Sequence, residues 1–169
     1  MTIIWNIFVF FGLAAICNAI DLANEATEVL GNKEYYFGVT TEVSWFRALE
    51  TCAAKGMLLD SIESETEYQN LKTFLFFNDD LRNQQFWFSG SNLANENKYM
   101  WFTTATNIKL TNWASNRGNG RCIHTNQNFL LMTADCTDEK YFICSRSTLP
   151  KCGVNGGCIR TSKPYVKYT

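Results

Sequence analysis

Residues 45–67 read WFRALETCAAKGMLLDSIESETE, and this stretch decides how the chain folds. Trp45, Ala48, Leu49 and Cys52 fall at i, i+3, i+4 and i+7, which is one face of a helix. The spacing predicts a helix from about Thr41 to Lys55, closed by Gly56, where a glycine after the last turn stops a helix. Met57 to Leu59 is then a short apolar strand. Ser64 followed three residues later by Glu67 is a capping box, so a second helix starts there. Tyr68, Leu71, Phe74 and Leu75 form its apolar face, and Asn78-Asp79-Asp80 ends it. Glu63, Glu65 and Glu67 crowd its start as macrodipole partners and cap, not as an acid/base pair.

Outward from this pair of helices the pattern turns to strand and loop. Glu34 to Phe37 is an aromatic strand ended by Gly38, preceded by a short polar leader. Downstream, Phe86-Trp87-Phe88, Tyr99 to Phe102, Cys122 to Thr125, Phe129 to Met132 and Tyr141 to Cys144 are strand candidates. Thr103 to Arg121 is polar, rich in Asn, Thr and Gly, and long for a connection without structure of its own; such loops are functional or mobile. After Cys144, Leu149-Pro150-Lys151 breaks the pattern. Cys152 and Cys158 enclose a tight glycine-rich loop, close enough to bridge each other, and Ile159 to Thr169 reads as a flexible basic tail.

A chain of 169 residues, 46% apolar, is long enough for one well-buried domain. Its net charge of −1 points away from nucleic acid and anionic membrane as partners. The charge is uneven. Ile20 to Cys144 holds ten basic and sixteen acidic residues, while Ser145 to Thr169 holds five basic and no acidic ones. Ile7 to Ile16 is apolar, about ten residues and too short to span a bilayer. It ends at Cys17-Asn18-Ala19, so residues 1–19 are expected to be a secretory signal peptide, although no Lys or Arg precedes the apolar run. The mature protein is then secreted, without membrane insertion. Its remaining cysteines, Cys52, Cys122, Cys136, Cys144, Cys152 and Cys158, are even in number and imply disulfides, with the pairing left open. A zinc site does not fit, because there is no Cys-x-x-Cys and His124 is the only histidine. Gly-x-Ser-x-Gly, phosphate-loop and His-Glu-x-x-His motifs are all missing, so no enzyme is expected.

From about Lys33 to Ser145 the sequence resembles the C-type lectin family. Trp45, Ala48 and Cys52 match its Trp-x-x-Ala-x-x-x-Cys helix, and Leu59, Ser61, Ile62, Ser64 and Glu67 match its next segment. Trp87-Phe88-Ser89-Gly90 stands for the family's Trp-Ile-Gly-Gly. Leu93, Trp101, Thr104, Asn112-Trp113, Cys122, Cys136 and Tyr141-Phe142-Ile143-Cys144 follow in order. The resemblance implies an α+β fold, with two helices flanking a mainly antiparallel twisted sheet and a long loop region, stapled by disulfides. It implies the pairs Cys52–Cys144 and Cys122–Cys136, which leaves Cys152 with Cys158. It implies a lectin-like domain over 33–145, with a leader at 20–32 and a basic extension at 146–169. Tyr36, Trp45, Trp87, Trp101, Trp113 and Phe142 match core positions.

Sugar-binding members of that family hold Ca²⁺ with a Glu-Pro-Asn or Gln-Pro-Asp triplet, a Glu before the third cysteine and a Trp-Asn-Asp triplet, because Ca²⁺ needs several oxygen ligands with carboxylates among them. Here those places read Arg117-Gly118-Asn119, Gly120 and Leu131-Met132-Thr133, and Asp135 lies out of register. The resemblance, with this departure, implies a non-enzymatic recognition protein without a Ca²⁺ cofactor. Its ligand is a glycan or a protein on an extracellular surface, met by a remodelled loop with Asn116, Arg117, Asn119 and Arg121 as contact residues. The alternative is a carbohydrate-binding lectin with a divergent site.

Overall fold

Thr27 opens the ordered architecture of the computed structural model, which describes residues 27–152 and 158–159. The elements are β1 (Thr27–Leu30), β2 (Lys33–Val43), α1 (Trp45–Ala54), β3 (Leu58–Leu59), α2 (Glu65–Phe77), β4 (Phe86–Ser91), β5 (Met100–Trp101), β6 (Thr106–Asn107), β7 (Cys122–Thr125), β8 (Leu131–Ala134), β9 (Lys140–Ser147), β10 (Lys151–Cys152) and β11 (Cys158–Ile159). The expected signal peptide at 1–19 and the tail from residue 160 lie outside the described residues.

The helix expected from Thr41 starts instead at Trp45. Val39 to Val43 is β-branched apart from Glu42 and stays in β2, where such side chains pack well. Ser44 then caps α1, its backbone extended and its hydroxyl accepting from the Arg47 amide at 3.3 Å. Gly56, at φ +67°, stops the helix as expected, with its amide on Ala53 O and the Met57 amide on Cys52 O, both at 3.0 Å. Gly38 does not end β2. The strand passes through it opposite Phe142, whose ring lies where a Cβ would stand. At α2 the Ser64 hydroxyl accepts from the Glu67 amide at 3.1 Å. Glu67 Oε2 in turn accepts from the Glu63 amide at 3.0 Å, one residue earlier than the usual reciprocal bond.

The main sheet runs β1-β2-β9-β4-β5-β6, with β3 on β9, β7 on β4 and β8 on β7. Every pair in it is antiparallel except β4 with β9. The leader is not wholly outside the fold: its last residues form β1, turned back onto β2 through Gly31 at φ +62°. Sheet structure also runs past Ser145, since β9 continues to Ser147 and Arg146 forks onto Glu34 at 2.7 and 2.8 Å. Tyr68, Leu71 and Leu75 of α2 pack with Phe86, Phe88, Trp101, Ile123 and Ile143 in one core cluster. Trp45, Ala48 and Cys52 of α1 pack with Leu59, Trp87 and Phe142 in another. Two buried indoles find partners, Trp45 donating to Phe88 O at 2.8 Å and Trp87 to Val43 O at 2.9 Å. Disulfides join Cys52 to Cys144 and Cys122 to Cys136, with Cα separations of 5.4 and 5.1 Å. The backbone of β10 and β11 places Cys152 opposite Cys158; a bond between them lies outside what is described.

Candidate functional site

The long loop is fastened at three places. Its first part leans on the start of α2: Thr106 Oγ1 donates to Glu63 Oε1 at 3.3 Å and Asn112 Nδ2 to Glu65 Oε1 at 3.4 Å. These carboxylates, read from sequence as helix-dipole partners, therefore also anchor the loop. Residues 112–120 then lie along β8. Leu131 N donates to Asn112 O at 2.9 Å, Ala114 N to Leu131 O at 3.0 Å, and Thr133 N and Oγ1 both donate to Arg117 O, at 2.6 and 3.0 Å. Gly118, at φ +80°, and Gly120 sit so close that a Cβ on either would overlap the backbone of Thr133 or Ala134. The Cys122–Cys136 bridge closes the far end.

On this strap the Arg117 guanidinium lies 4.8 Å from the Trp113 ring centre, on an exposed face. Asn116 Oδ1 accepts from the Gly118 amide at 3.2 Å and braces the turn, and Asn119 is exposed beside it. Arg121 points elsewhere. It donates to Asn92 Oδ1 and O at 3.3 Å and to Leu93 O at 3.4 Å, and pairs with Glu96 at 3.5 Å. The structure thus brings Asn116, Arg117 and Asn119 together and ties Arg121 to the neighbouring loop. Trp113, which the sequence assigns to the core, is only half-buried. Its indole donates to Leu110 O at 3.2 Å and its ring meets Tyr99 edge-on at 6.2 Å. The available signal was a Trp followed four residues later by an Arg in a glycine-bounded loop.

The donor set at the strap does not fit a sugar-bridging Ca²⁺. Arg117, Gly118, Asn119, Gly120, Met132 and Thr133 offer one side-chain amide and no carboxylate. Asp135 is turned to the Thr137 amide and hydroxyl at 2.9 and 2.7 Å, bonds that hold its carboxyl below the ordinary range. Among the described residues no three of His, Cys, Asp and Glu converge on one point. His124 is buried, its Nδ1 2.9 Å from Thr125 O, and is not presented to a ligand.

An α+β domain whose first helix is bridged to the last strand of its main sheet, with a strapped long loop over a second bridge, is of the C-type-lectin-like class. The chain belongs to the C-type lectin domain family, whose model matches residues 41–146. It is 26% identical over 125 residues to the C-type lectin mosGCTL-7 of Culex quinquefasciatus, covering 65% of this chain and 72% of that one. The fold superposes on the carbohydrate-recognition domain of cow CD23, solved in the presence of GlcNAc2Man3 oligosaccharide, with a TM-score of 0.64 at 22% identity over 74% of this chain and 95% of that one. It also superposes on a calcium-independent type II antifreeze protein, with a TM-score of 0.60 at 21% identity over 72% and 91%.

Proposed function

We propose that this protein is a secreted, non-catalytic recognition module that binds a glycan or protein ligand on an extracellular surface without calcium, through the strap at 116–121. The observation that carries this reading is the Arg117–Trp113 stack, displayed on the loop where the family resemblance puts the calcium-binding triplet. Guanidinium is weakly hydrated and offers a planar fork of donors, so it suits contact with a polar or anionic ligand. The aromatic face beneath it adds about 0.5–1 kcal/mol of preorganisation at an exposed site. Secretion is supported by the apolar start at residues 7–16 and by the disulfides. The calcium-independent antifreeze neighbour supports the view that this fold can dispense with the ion. A carbohydrate ligand at a divergent site is the second reading, favoured by the oligosaccharide-associated neighbour.

Glycan and protein arrays with and without a chelator test the proposal. Ligand binding should survive the chelator and fall in Arg117→Ala. A protein that binds Ca²⁺ only when folded gains about 2.7 kcal/mol at a hundredfold excess over Kd. That would raise Tm by several degrees; here millimolar calcium should leave Tm unchanged. A calcium-dependent rise, lost in Asn119→Ala or Asp135→Ala, would overturn the calcium-independent reading.

A further inference from the structure

A second concave feature lies at the other end of the β7–β8 hairpin, between its turn and the C-terminal half of α2. It is a cleft of about 240 Å³ floored by Leu75, Leu81, Phe86 and Phe129, all buried. The floor is held in place against backbone preference. Phe129 sits at φ +60°, a conformation that bulky side chains rarely adopt, whereas Asn83 on the rim, at φ +64°, is of a type that tolerates it. Phe129 is kept there by Tyr68, whose hydroxyl donates to Phe129 O at 2.5 Å and whose ring lies 5.2 Å from its own, and by its amide on Asn126 O at 2.9 Å. Strain of this kind persists only where the surroundings over-determine it, and it clusters at functional sites.

The rim has one sign of charge. Lys72 and Arg82 are the ionisable residues lining the cleft, and the other polar groups there are amides. Arg82 pairs with Asp79 at 2.8 Å, but that carboxylate is 86% exposed and its hold is screened by solvent. Lys72 lies 5.9 Å from the Tyr68 ring centre and pairs with no carboxylate among the described residues. An apolar floor calls for a hydrocarbon chain, and a cationic, amide-rich rim calls for an anionic head. A cleft of about 240 Å³ has room for a short hydrocarbon chain.

We propose that this cleft is a second binding site, for a free single-chain amphiphile with an anionic head, a medium-chain carboxylate being the simplest. It is independent of the strap at 116–121. The test is calorimetric titration of the full-length oxidised protein with hexanoate, heptanoate and octanoate, beside octyltrimethylammonium as the cation of the same chain. Octanoate should bind saturably, with affinity rising about fourfold for each methylene added. The ammonium should not compete. The Lys72→Gln/Arg82→Gln variant should keep its Tm and bind octanoate about tenfold more weakly. Arg117→Ala should bind octanoate as the native protein does. Titrated octanoate should shift the backbone amide resonances of Asn126 to Phe129. Absence of saturable octanoate binding, equal binding of the ammonium, or binding only to vesicles of phosphatidylserine and phosphatidylcholine would each overturn the proposal.

Discussion

His124 is 5% exposed, with its ring edge-on to Trp87 at 5.6 Å. The neutral ring carries its proton on Nδ1 toward Thr125 O at 2.9 Å. Burial first, and then the positive charge of Lys140, push its pKa down to about 4. The unfolded chain takes up this proton near pH 6.5. Between those values the unfolded state binds one proton more than the native state, so stability rises with pH across the window and is lost as pH falls. The depressed value corresponds to about 3 kcal/mol lost between pH 6.5 and 4. Urea denaturation across this window should show that fall, and His124→Phe should make the slope shallower by close to one proton. An unchanged slope in the variant would mean that another group controls the acid limb. The sequence placed His124 on a strand as a structural residue; its depressed basicity depends on Trp87 and Lys140, which only the tertiary fold brings to it.

At the scale of elements, α2 is bound to the sheet through a buried ionic group. The Lys33 ammonium donates to Asp60 Oδ1 at 3.0 Å, to Ser61 O at 2.6 Å and to Glu67 Oε1 in a close contact. Tyr35 also donates to Glu67, at 3.0 Å, and Ser145 to Asp60, at 2.5 Å. Asp60 is fully buried and its Oδ2 has no partner. Burial alone would lower the Lys33 pKa, but the charges of Asp60 and Glu67 outweigh it and hold the ammonium above its ordinary value. Its contribution is therefore complete below pH 10.5 and is lost as pH rises through the raised value. Glu67 is pushed up by burial and by Asp60, against the pull of Lys33. Its folded carboxyl thus favours the proton, and that contribution, present below pH 4.5, is lost as pH rises through the raised value. Lys33→Met leaves both carboxylates without their cation and should lose roughly 3–5 kcal/mol at pH 7. The loss should shrink as pH falls from 7 to 4.5, because Glu67, whose pKa is raised, takes up its proton on the way, and chemical denaturation at the two pH values measures the difference. A loss that grows with acid would contradict this account. The capping box of α2 was legible because Ser64 and Glu67 are three residues apart in sequence, whereas the further partners of Glu67 come from β2. For the same reason β1 was read as a leader, since its strand character rests on pairing with β2. The start of α1 was misplaced because the β-branched run from Val39 to Val43 and the Ser44 cap are weak local marks, and the pairing of Val43 with Lys140 of β9 decides for strand. In the strap, Asn116 and Arg117 stood out as loop residues, while the half-buried Trp113 beneath Arg117 was hidden by its match to a core position.

Across the whole molecule the two bridges do different work. Cys52–Cys144 spans 92 residues and joins α1 to β9, the strand on which β2, β3 and β4 all pair. In the chain-entropy account a closed loop of that length stabilises by about 4.6 kcal/mol. Cys122–Cys136 spans 14 residues, and the same account gives about 3 kcal/mol. All four cysteines are buried in the cluster of Trp45, Leu59 and Trp87, so paired alanines at either bridge add a core cavity to the lost constraint. What separates the bridges is what they join. Cys122 and Cys136 tie the ends of the β7–β8 hairpin just beyond Arg121, and β7 keeps its ladder to β4 without them. Cys52→Ala/Cys144→Ala should therefore lower global stability by more than 4.6 kcal/mol and unfold the domain near physiological temperature. Cys122→Ala/Cys136→Ala should leave it folded at room temperature, with a Tm lower by about ten degrees or more. Hydrogen exchange should then separate global from local loosening. In the second variant the Thr133 amide, bonded to Arg117 O, should exchange faster, while the Ser89 amide, bonded to Asp60 O, keeps its protection once the change in global stability is subtracted. Equal loss of protection at both amides would show that the strap at 116–121 and the central sheet open as one unit. The proposed recognition surface would then depend on the stability of the whole domain rather than on its own bridge.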